Sequence, residues 1–310
     1  MVSKKLLEKL LAHWGMENSS VSNVYYEGSN QVNENEFQIG EDFVLKVSGL
    51  PGGLKRHMDM AEALDKEGLQ ASIPVATKAG ELLVRESDIY AILCRRVQGT
   101  KMSGREMFVS CDVAAAYRFG TLIGKLHLAL AKLDAGLCEE NRLQDTVQDW
   151  AIPAAQKKIK LSQELVAEYK HCFCEVYDKL PKQLIHRNMN LSYVYLNGDE
   201  MAGVTDFGLS EYCIRLFDVC YAATGILSEN FTDTDETMEQ WLKLYQNIVR
   251  GYDEVIGLTE EEKQVLPYVI FSIQMICVAY FADKEEFAEL AKINEKMLTR
   301  LMEYRDKLVY

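Results

Sequence analysis

Basic residues are scarce in this chain of 310 residues. It has 34 lysines and arginines against 47 aspartates and glutamates, which gives a formal net charge of −13. Nucleic acids and anionic membrane surfaces both select proteins with a basic surface. We therefore expect neither a nucleic acid nor a membrane among the partners of this protein.

Metal-binding cysteine pairs and long apolar runs are missing as well. The eight cysteines are scattered without a Cys-x-x-Cys pair, which argues against a zinc site and a disulfide framework and favours reduced thiols in a cytoplasmic protein. The most apolar stretch, residues 268–282, includes Ser272 and Gln274 and is too short to span a bilayer, so it predicts a buried helix. Residues 1–15 predict an amphipathic helix rather than a signal sequence.

The first hundred residues carry the pattern of strands. Apolar and polar residues alternate over 22–28 and 35–40, and a turn at Gly40–Asp42 leads into a strand at 43–48. Residues 54–67 have helical spacing, and further strands follow around the turn at 78–80. Five strands and one helix predict a small antiparallel sheet with a helix packed on it.

From about Ser103 the pattern becomes helical. Helices are predicted at 111–134, 154–178, 217–228, 234–255, 259–282 and 284–308. Two short strands, 193–196 and 202–205, interrupt them and are joined by Asn197-Gly198-Asp199, a strong hairpin signal. The fold class is therefore α+β. We expect a small β lobe (residues 1–97) and a larger helical lobe (98–310) that includes the hairpin, with a cleft between them, which is the layout of kinase-like phosphotransferases.

Phosphoryl transfer from ATP requires a lysine on the phosphates, acidic groups for Mg²⁺ and a group that orients the acceptor hydroxyl. Lys46 is an isolated cation in the strand 43–48. The loop at 28–35, with Ser29 and Asn30, precedes it at the spacing of a phosphate-covering loop, although it has only one glycine. We predict that Lys46, Ser29 and Asn30 bind the nucleotide. A lysine that reaches to water from an edge strand is the alternative for Lys46.

The lysine needs a carboxylate to fix its side chain. Glu62 on the following helix is the preferred partner, and Asp59, one turn earlier, is the alternative. A solvated charge on a helix remains an open interpretation for both residues.

Asp206 in the motif VTDFG is the sharpest single signal. A carboxylate at the end of a strand offers oxygen ligands to a hard cation such as Mg²⁺. The triplet DFG occurs by chance in many proteins, but here it follows the strand Leu184–His186 across the Asn-Gly hairpin. We therefore predict that Asp206 is a metal ligand and part of the catalytic site.

These motifs together resemble the superfamily of aminoglycoside phosphotransferases and choline kinases, in particular its bacterial homoserine-kinase-type and spore-coat-associated branch. The matching stretches include FVLKVS, GTLIGKLHLAL, NGDEMAGVTDFG and RLFDVCYAATG, and the resemblance spans roughly residues 20–300. It implies a protein-kinase-like two-lobed fold, ATP and Mg²⁺ as cofactors, and a small hydroxylated acceptor, which in this family is often cationic. The oligomeric state stays open.

The catalytic loop departs from the motif of that family, H-G-D-x-x-x-x-N. The matching positions hold His186, Arg187 in place of the glycine, Asn188 in place of the catalytic aspartate, and Tyr193 in place of the metal-binding asparagine. By the same resemblance, Asp206 is the metal-binding aspartate, and Asp218 is an aspartate that braces the catalytic loop.

These departures weaken the expected chemistry. Asn188 can orient a hydroxyl but cannot take its proton, and general-base help is typically worth about 10²–10⁴-fold. The phenol of Tyr193 is a poor Mg²⁺ ligand, and Asn190 is an alternative source of a ligand oxygen. We expect phosphotransfer that is at most weak, with a catalytically inactive pseudokinase for ligand binding or scaffolding as the alternative. An active enzyme with Asp206, one metal ion and a different base is also open.

The histidines outside the catalytic loop receive structural interpretations. His127 lies on an apolar helix and is interpreted as a packed residue, a role that the family also gives it. His13, His57 and His171 lie in helical stretches and have no partners at ligand spacing.

Overall fold

The computed structural model describes residues 2–25, 32–157, 159, 161–282 and 287–310. The chain forms two compact units. The first comprises Met1–Met102 and Ser192–Ser210, and the second comprises Ser103–Leu191 and Glu211–Tyr310. The Asn-Gly hairpin, which was predicted as part of the helical lobe, thus groups with the first unit.

The strands, in chain order, are β1 (Val21–Tyr25), β2 (Val32–Ile39), β3 (Phe43–Ser48), β4 (Val84–Glu86), β5 (Ile89–Arg95), β6 (Thr100–Lys101), β7 (Lys182–Ile185), β8 (Val194–Asn197), β9 (Glu200–Val204) and β10 (Glu211–Ile214). The first five form one antiparallel sheet in the order β1-β2-β3-β5-β4. This sheet confirms the predicted α+β class. β6, β8 and β9 form a smaller sheet in the same unit, and β7 pairs with β10 in the second unit.

The helices are α1 (Lys4–Ala12), α2 (Gly52–Lys66), α3 (Gly104–Ser110), α4 (Val113–Leu130), α5 (Leu143–Asp145), α6 (Ile152–Ala155), α7 (Gln163–Tyr169), α8 (Leu216–Asn230), α9 (Asp235–Ile256), α10 (Glu260–Phe281) and α11 (Ala288–Glu303). Two of them, α1 and α2, belong to the first unit. Leu7, Leu10 and Leu11 of α1 pack with Phe37 and Ile39 of the sheet, so the amphipathic N-terminal helix buries its apolar face.

The hairpin of β8 and β9 is positioned by close backbone contact. Gly198 takes a φ of +63° in its turn, a conformation that glycine adopts at little cost. A Cβ on Gly203 of β9 would lie only 2.6 Å from the carbonyl oxygen of Gln70, and the Val204 N–H donates to that same carbonyl at 3.1 Å. The strand that leads to Asp206 is therefore anchored to the segment after α2.

In the second unit, helices α4 and α9 contact each other at glycine residues. A Cβ on Gly120 of α4 would lie 1.9 Å from the carbonyl oxygen of Ile248 on α9, and one on Gly251 of α9 would lie 2.0 Å from that of Tyr117. Because the distance between packed helices depends on the side chains at their contact, these glycines allow α4 and α9 to approach closely.

The predicted helix 154–178 is broken, so this prediction is wrong. α6 ends at Ala155 and α7 begins only at Gln163. Ser162 starts the second helix because its hydroxyl accepts a hydrogen bond from the Leu165 N–H. A π-helical turn, Lys170–Cys174, follows α7.

The apolar stretch 268–282 lies almost wholly in α10. A capping box of Thr259 and Glu262 starts this helix. By length and composition α10 could cross a membrane, and it is the one such helix in the part of the chain that the structure describes. About two thirds of its apolar window, 67%, is buried within the protein, as predicted for a core helix.

Candidate functional site

Lys46 of β3 lies buried between two carboxylates of the first unit. Glu36 stands directly opposite it on β2, because the strand register pairs these two residues. Its carboxylate contacts the Lys46 ammonium. The same Nζ donates to Oδ1 of Asp206 at 3.0 Å. The structure thus brings together two of the predicted site residues, Lys46 and Asp206, and adds Glu36.

The charge of Lys46 is stabilised by these partners. Burial alone would lower the pKa of the ammonium, but the charges of Glu36 and Asp206 outweigh burial and raise this pKa above its ordinary value. Lys46 is therefore a cation at every physiological pH, as a phosphate-binding lysine must be. The alternative of a lysine that reaches into water is excluded, because its side chain is only 9% exposed.

Glu62, the predicted partner of Lys46, does not reach it. Its side chain is 59% exposed and forms an ion pair with Lys66 one turn later at 2.9 Å. Asp59 is exposed as well. Both lie on α2, whereas a carboxylate on the neighbouring strand is fixed directly beside Lys46. Glu36 was detectable from the sequence, because the Gly40–Asp42 connection pairs residue 39 with 43 and hence residue 36 with 46.

Asp206 follows β9 in the left-handed conformation, with a φ of +69°. A short 3-10 turn, Phe207–Leu209, comes next, and Phe207 is fully buried. The Asp206 side chain stays 27% exposed while it contacts Lys46. Within the described residues there is no group of three acidic, histidine or cysteine side chains that could hold a metal ion by itself. The partly exposed Asp206 carboxylate offers oxygen atoms, which are the ligand type that Mg²⁺ takes together with phosphates and water.

Tyr193 stands where the family resemblance implies a metal-binding asparagine. Its carbonyl accepts a hydrogen bond from the Thr205 N–H at 3.0 Å, which ties the end of the catalytic loop to the residue before Asp206. Its side chain lines a cavity of about 290 Å³ in the first unit, together with Tyr195, Glu36, Val44, Arg96 and Lys101 among others. Typical small-molecule pockets measure about 300–1,000 Å³. Tyrosine thus stands where a compact ligand group is expected.

The catalytic loop begins in the second unit, where Asp218 braces it. Asp218 at the start of α8 is fully buried. It accepts hydrogen bonds from the backbone N–H groups of His186 at 2.7 Å and Arg187 at 2.8 Å. His127 Nε2 lies 3.0 Å from the same carboxylate, and His127 Nδ1 lies 2.8 Å from the Tyr252 hydroxyl. Asp218 thereby fixes the backbone just before Asn188, and His127 is a buried structural residue.

The ionised form of Asp218 is strongly favoured. Burial alone would raise the pKa of this carboxyl group. The hydrogen bond and charge of His127, together with the charge and backbone N–H of His186, outweigh burial and lower the pKa below its ordinary value of 3.8. A buried carboxylate with this many donors holds its loop firmly.

Arg187 keeps the backbone conformation that suits glycine, with a φ of +70°. Left-handed residues other than glycine persist where their surroundings hold them. Here the guanidinium lies 2.6 Å from Glu211 and stacks 3.7 Å from the ring centre of Phe217. These two contacts explain how an arginine is accommodated in this turn.

Asn188, at the position of the catalytic base, is bonded to a tyrosine. Its side-chain oxygen accepts a hydrogen bond from the Tyr221 hydroxyl at 3.1 Å. Burial raises the pKa of Tyr221 to about 12, so this phenol remains protonated and remains a donor at neutral pH. Asn190, the alternative ligand, has its amide nitrogen 3.5 Å from Glu229. Tyr221 is a contact that the sequence did not reveal, because it lies on α8. Ser29 and Asn30 lie outside the described residues.

The first prediction separates Glu36 from Glu62. Glu36→Gln leaves the buried Lys46 with one carboxylate, so we expect a loss of about 2 kcal/mol in stability. Glu62→Gln removes only an exposed ion pair and should cost less than about 0.5 kcal/mol. Thermal unfolding of the wild type and both variants measures the difference. Equal melting temperatures for the two variants would rule out Glu36 as the main partner.

The second prediction concerns how the contribution of Asp218 to stability changes at low pH. Because the pKa of Asp218 is lower in the folded than in the unfolded chain, its carboxylate stabilises the fold above pH 3.8, and this contribution is lost as the pH falls through the folded-state value. Asp218→Asn should therefore cost about 3 kcal/mol at neutral pH, and less at low pH.

Melting temperatures of the wild type and Asp218→Asn across the acidic range test this expectation. Asp178→Asn is the control, because Asp178 has a lowered pKa but lies on the surface beside Arg142. It should change stability little at any pH. A gap between wild type and Asp218→Asn that stays constant down to the lowest pH would contradict the assignment.

Comparison with known proteins places this geometry in a family. The model of the phosphotransferase enzyme family, APH, matches residues 29–258, well over half of the chain. Among curated proteins, none matches the sequence. The structure resembles amicoumacin kinase hAmiN in complex with AMP-PNP, Ca²⁺ and Ami, with a TM-score of 0.71 and 13% identity over 100% of this chain and 95% of that one.

Two further solved structures share the fold. The microcompartment-associated aminopropanol kinase has a TM-score of 0.71 at 15% identity and covers 99% of each chain. The GDP complex of aminoglycoside 2'-phosphotransferase-IIIa has a TM-score of 0.65 at 14% identity, over 91% of this chain and 93% of that one. At such identities the likeness establishes the fold alone, and it confirms the predicted protein-kinase-like class. With the family match over residues 29–258, the chain belongs to the phosphotransferase enzyme family.

Proposed function

We propose that this protein transfers the γ-phosphate of ATP to a small hydroxylated molecule, with an activity that is at most weak. The observation that carries the proposal is the buried ion pair of Lys46 and Asp206 in a member of the phosphotransferase family. These are the two charged groups that a nucleotide and its metal ion require. Asn188 and Tyr193, at the base and second-ligand positions, support the low activity.

In this proposal the residues have separate roles. Lys46 contacts the phosphates as a permanent cation, and Asp206 holds Mg²⁺. A bound Mg²⁺ would neutralise charge on the β- and γ-phosphate oxygens. Glu36 keeps the Lys46 side chain in place. Asp206 is the one carboxylate that this proposal gives to the metal, which favours one metal ion rather than two.

Asn188 would orient the acceptor hydroxyl. During transfer the bond between the γ-phosphorus and the bridging oxygen breaks, a bond to the hydroxyl oxygen forms, and the hydroxyl proton leaves. An amide cannot take that proton, so it passes to water or to a phosphoryl oxygen. Because the transition state of phosphoryl transfer is loose, positioning alone can sustain a slow reaction.

An inactive pseudokinase is the second candidate. Two observations favour it. The Asn188 oxygen is already hydrogen-bonded to Tyr221, and Tyr193 lines a cavity of only about 290 Å³. In that case the protein would be a ligand-binding or scaffolding protein that holds nucleotide weakly or not at all.

The remaining expectations are part of the same proposal. Two of the structural neighbours are complexes with kanamycin and with hygromycin B, which supports a small-molecule acceptor. The net charge of −13 suits a cationic acceptor. The eight cysteines all belong to the described residues and none of them forms a disulfide bond, which supports a cytoplasmic location.

The third prediction tests nucleotide binding. We expect ATP to raise the melting temperature only when Mg²⁺ is present, and Asp206→Ala to abolish this metal dependence, because it removes the ligand. Asp88→Ala is the control, since it removes a fully exposed carboxylate of the same unit. Calorimetric titration with ATP, with and without Mg²⁺, checks the result. Absence of any binding at millimolar ATP would sink the enzyme proposal and leave the pseudokinase.

The fourth prediction is a restoration. Asn188→Asp together with Tyr193→Asn should raise ATP turnover by about 10²-fold or more, because a general base and a second ligand return. Each single substitution is the control and should give a smaller gain. Turnover is measured as ADP release against a panel of amino alcohols and amino sugars. A wild type that is already as fast as the double variant would show that the loop is not degenerate.

A further inference from the structure

Helix α2 forms hydrogen bonds to the backbone of the residues that follow Asp206, and one of these bonds is made by a buried histidine. His57 is only 1% exposed. Its Nδ1 accepts a hydrogen bond from the Phe207 N–H at 3.2 Å, and its Nε2 lies 2.9 Å from the carbonyl oxygen of Ser72. An amide N–H can only donate and a carbonyl can only accept. The two partners therefore select the neutral ring with its proton on Nε2.

Two further residues of α2 flank this contact on the same helix face. Arg56 donates from Nη1 to the Gly208 carbonyl oxygen at 3.1 Å. Gly53 lies beside Gly208, and a Cβ on either glycine would be in van der Waals contact with the carbonyl oxygen of the other, at 3.4 Å. Since residues three and four apart share one helix face, Gly53, Arg56 and His57 form one contact surface.

The hydrogen bond from the Phe207 N–H to His57 restricts the backbone conformation of Asp206. The Phe207 N–H lies in the peptide plane that joins residues 206 and 207, so its hydrogen bond fixes the orientation of that plane. The plane in turn sets ψ of Asp206, which is +52° beside a φ of +69°. This is the conformation in which the Asp206 carboxylate meets Lys46. A left-handed aspartate needs such support from its surroundings.

No carboxylate of the described α2 residues forms an ion pair with Lys46, since Glu62 pairs with Lys66 instead and Glu36 of β2 holds the lysine. We propose that His57 is a positioning residue for Asp206: through the Phe207 N–H it transmits the position of α2 to the carboxylate that binds the metal ion. The metal-binding part of this inference rests on the proposed function above. The hydrogen bond and its effect on residues 206–208 do not.

A pair of amide variants separates the hydrogen bond of His57 to Phe207 from its hydrogen bond to Ser72. Asparagine places its oxygen near the position of Nδ1 and keeps an acceptor for the Phe207 N–H, whereas glutamine reaches the position of Nε2 and keeps a donor for Ser72. Each variant loses one bond and buries one amide, so their costs to folding are matched. Only His57→Gln should free the Phe207 N–H.

Hydrogen exchange followed by mass spectrometry reads out the effect. In His57→Gln we expect peptides with Phe207 to exchange about fivefold faster, the ratio that one ordinary hydrogen bond supplies. His57→Asn should match the wild type there. Arg56→Met, which loses only the bond to Gly208, should give a smaller increase. Equal exchange in His57→Gln and His57→Asn would overturn the proposal.

The second readout is metal dependence. The Mg²⁺ concentration needed for ATP binding should rise about tenfold in His57→Gln, as for other residues that orient a metal ligand, and should stay near the wild-type value in His57→Asn. A wild type that binds no nucleotide refutes the proposed function, and the exchange data then decide the positioning role alone.

A measurement on the wild type covers the case in which His57→Gln does not fold. Scalar coupling across the hydrogen bond between the Phe207 amide nitrogen and His57 Nδ1, recorded with ¹⁵N-labelled histidine and phenylalanine, supports the proposal directly. Absence of this coupling, with the ring proton found on Nδ1, overturns it.

Discussion

The buried ammonium of Lys46 is the constraint on which the predicted nucleotide site depends. A charge removed from water needs partners, because desolvation of an unpaired ion costs several kcal/mol. Glu36 meets Lys46 only when β2 and β3 keep their register. Asp206 meets it from a left-handed backbone, with the Phe207 N–H bonded to His57. The two partners of the Lys46 charge therefore come from the β2–β3 register and from the turn at Asp206.

The spacing of apolar residues and the turn motifs predicted those elements that depend on residues close together in the sequence. The sheet, the Asn-Gly hairpin and the helices of the second unit follow from spacing, except for the stretch 154–178, where the predicted helix is broken. Glu36 was within reach of the same reasoning, since a hairpin of known connection sets its own register. The bond between His57 and Phe207 was not, because 150 residues separate the two and only the packing of α2 brings them together. The spacing of residues along one segment does not reveal which distant segment it will contact.

The residues by which the loop 186–193 departs from the family motif include two, Arg187 and Asn188, that are held by specific contacts. Arg187 keeps a left-handed backbone and is held by Glu211 and Phe217. Asn188 is held by Tyr221, and Asp218 binds the loop backbone as the family resemblance implies. The backbone just before Asn188 is thus held by Asp218, while three side chains of the loop differ from the motif of the family. Of the three departures from the family motif, Arg187 is accommodated by its contacts, and Asn188 and Tyr193 are the two that bear on the proposed chemistry.

The charges around Lys46 decide how a nucleotide could bind. One ammonium and the carboxylates of Glu36 and Asp206 sum to a net charge of −1. Phosphates approaching this group without a counterion meet repulsion, and a divalent cation reverses the sign. The backbone of Glu36 is held beside the lysine, because Glu36 lies in a strand paired with β3 rather than on a separate helix. In the proposed function, nucleotide binding is therefore strictly metal-dependent, and Asp206, rather than Lys46, controls its strength.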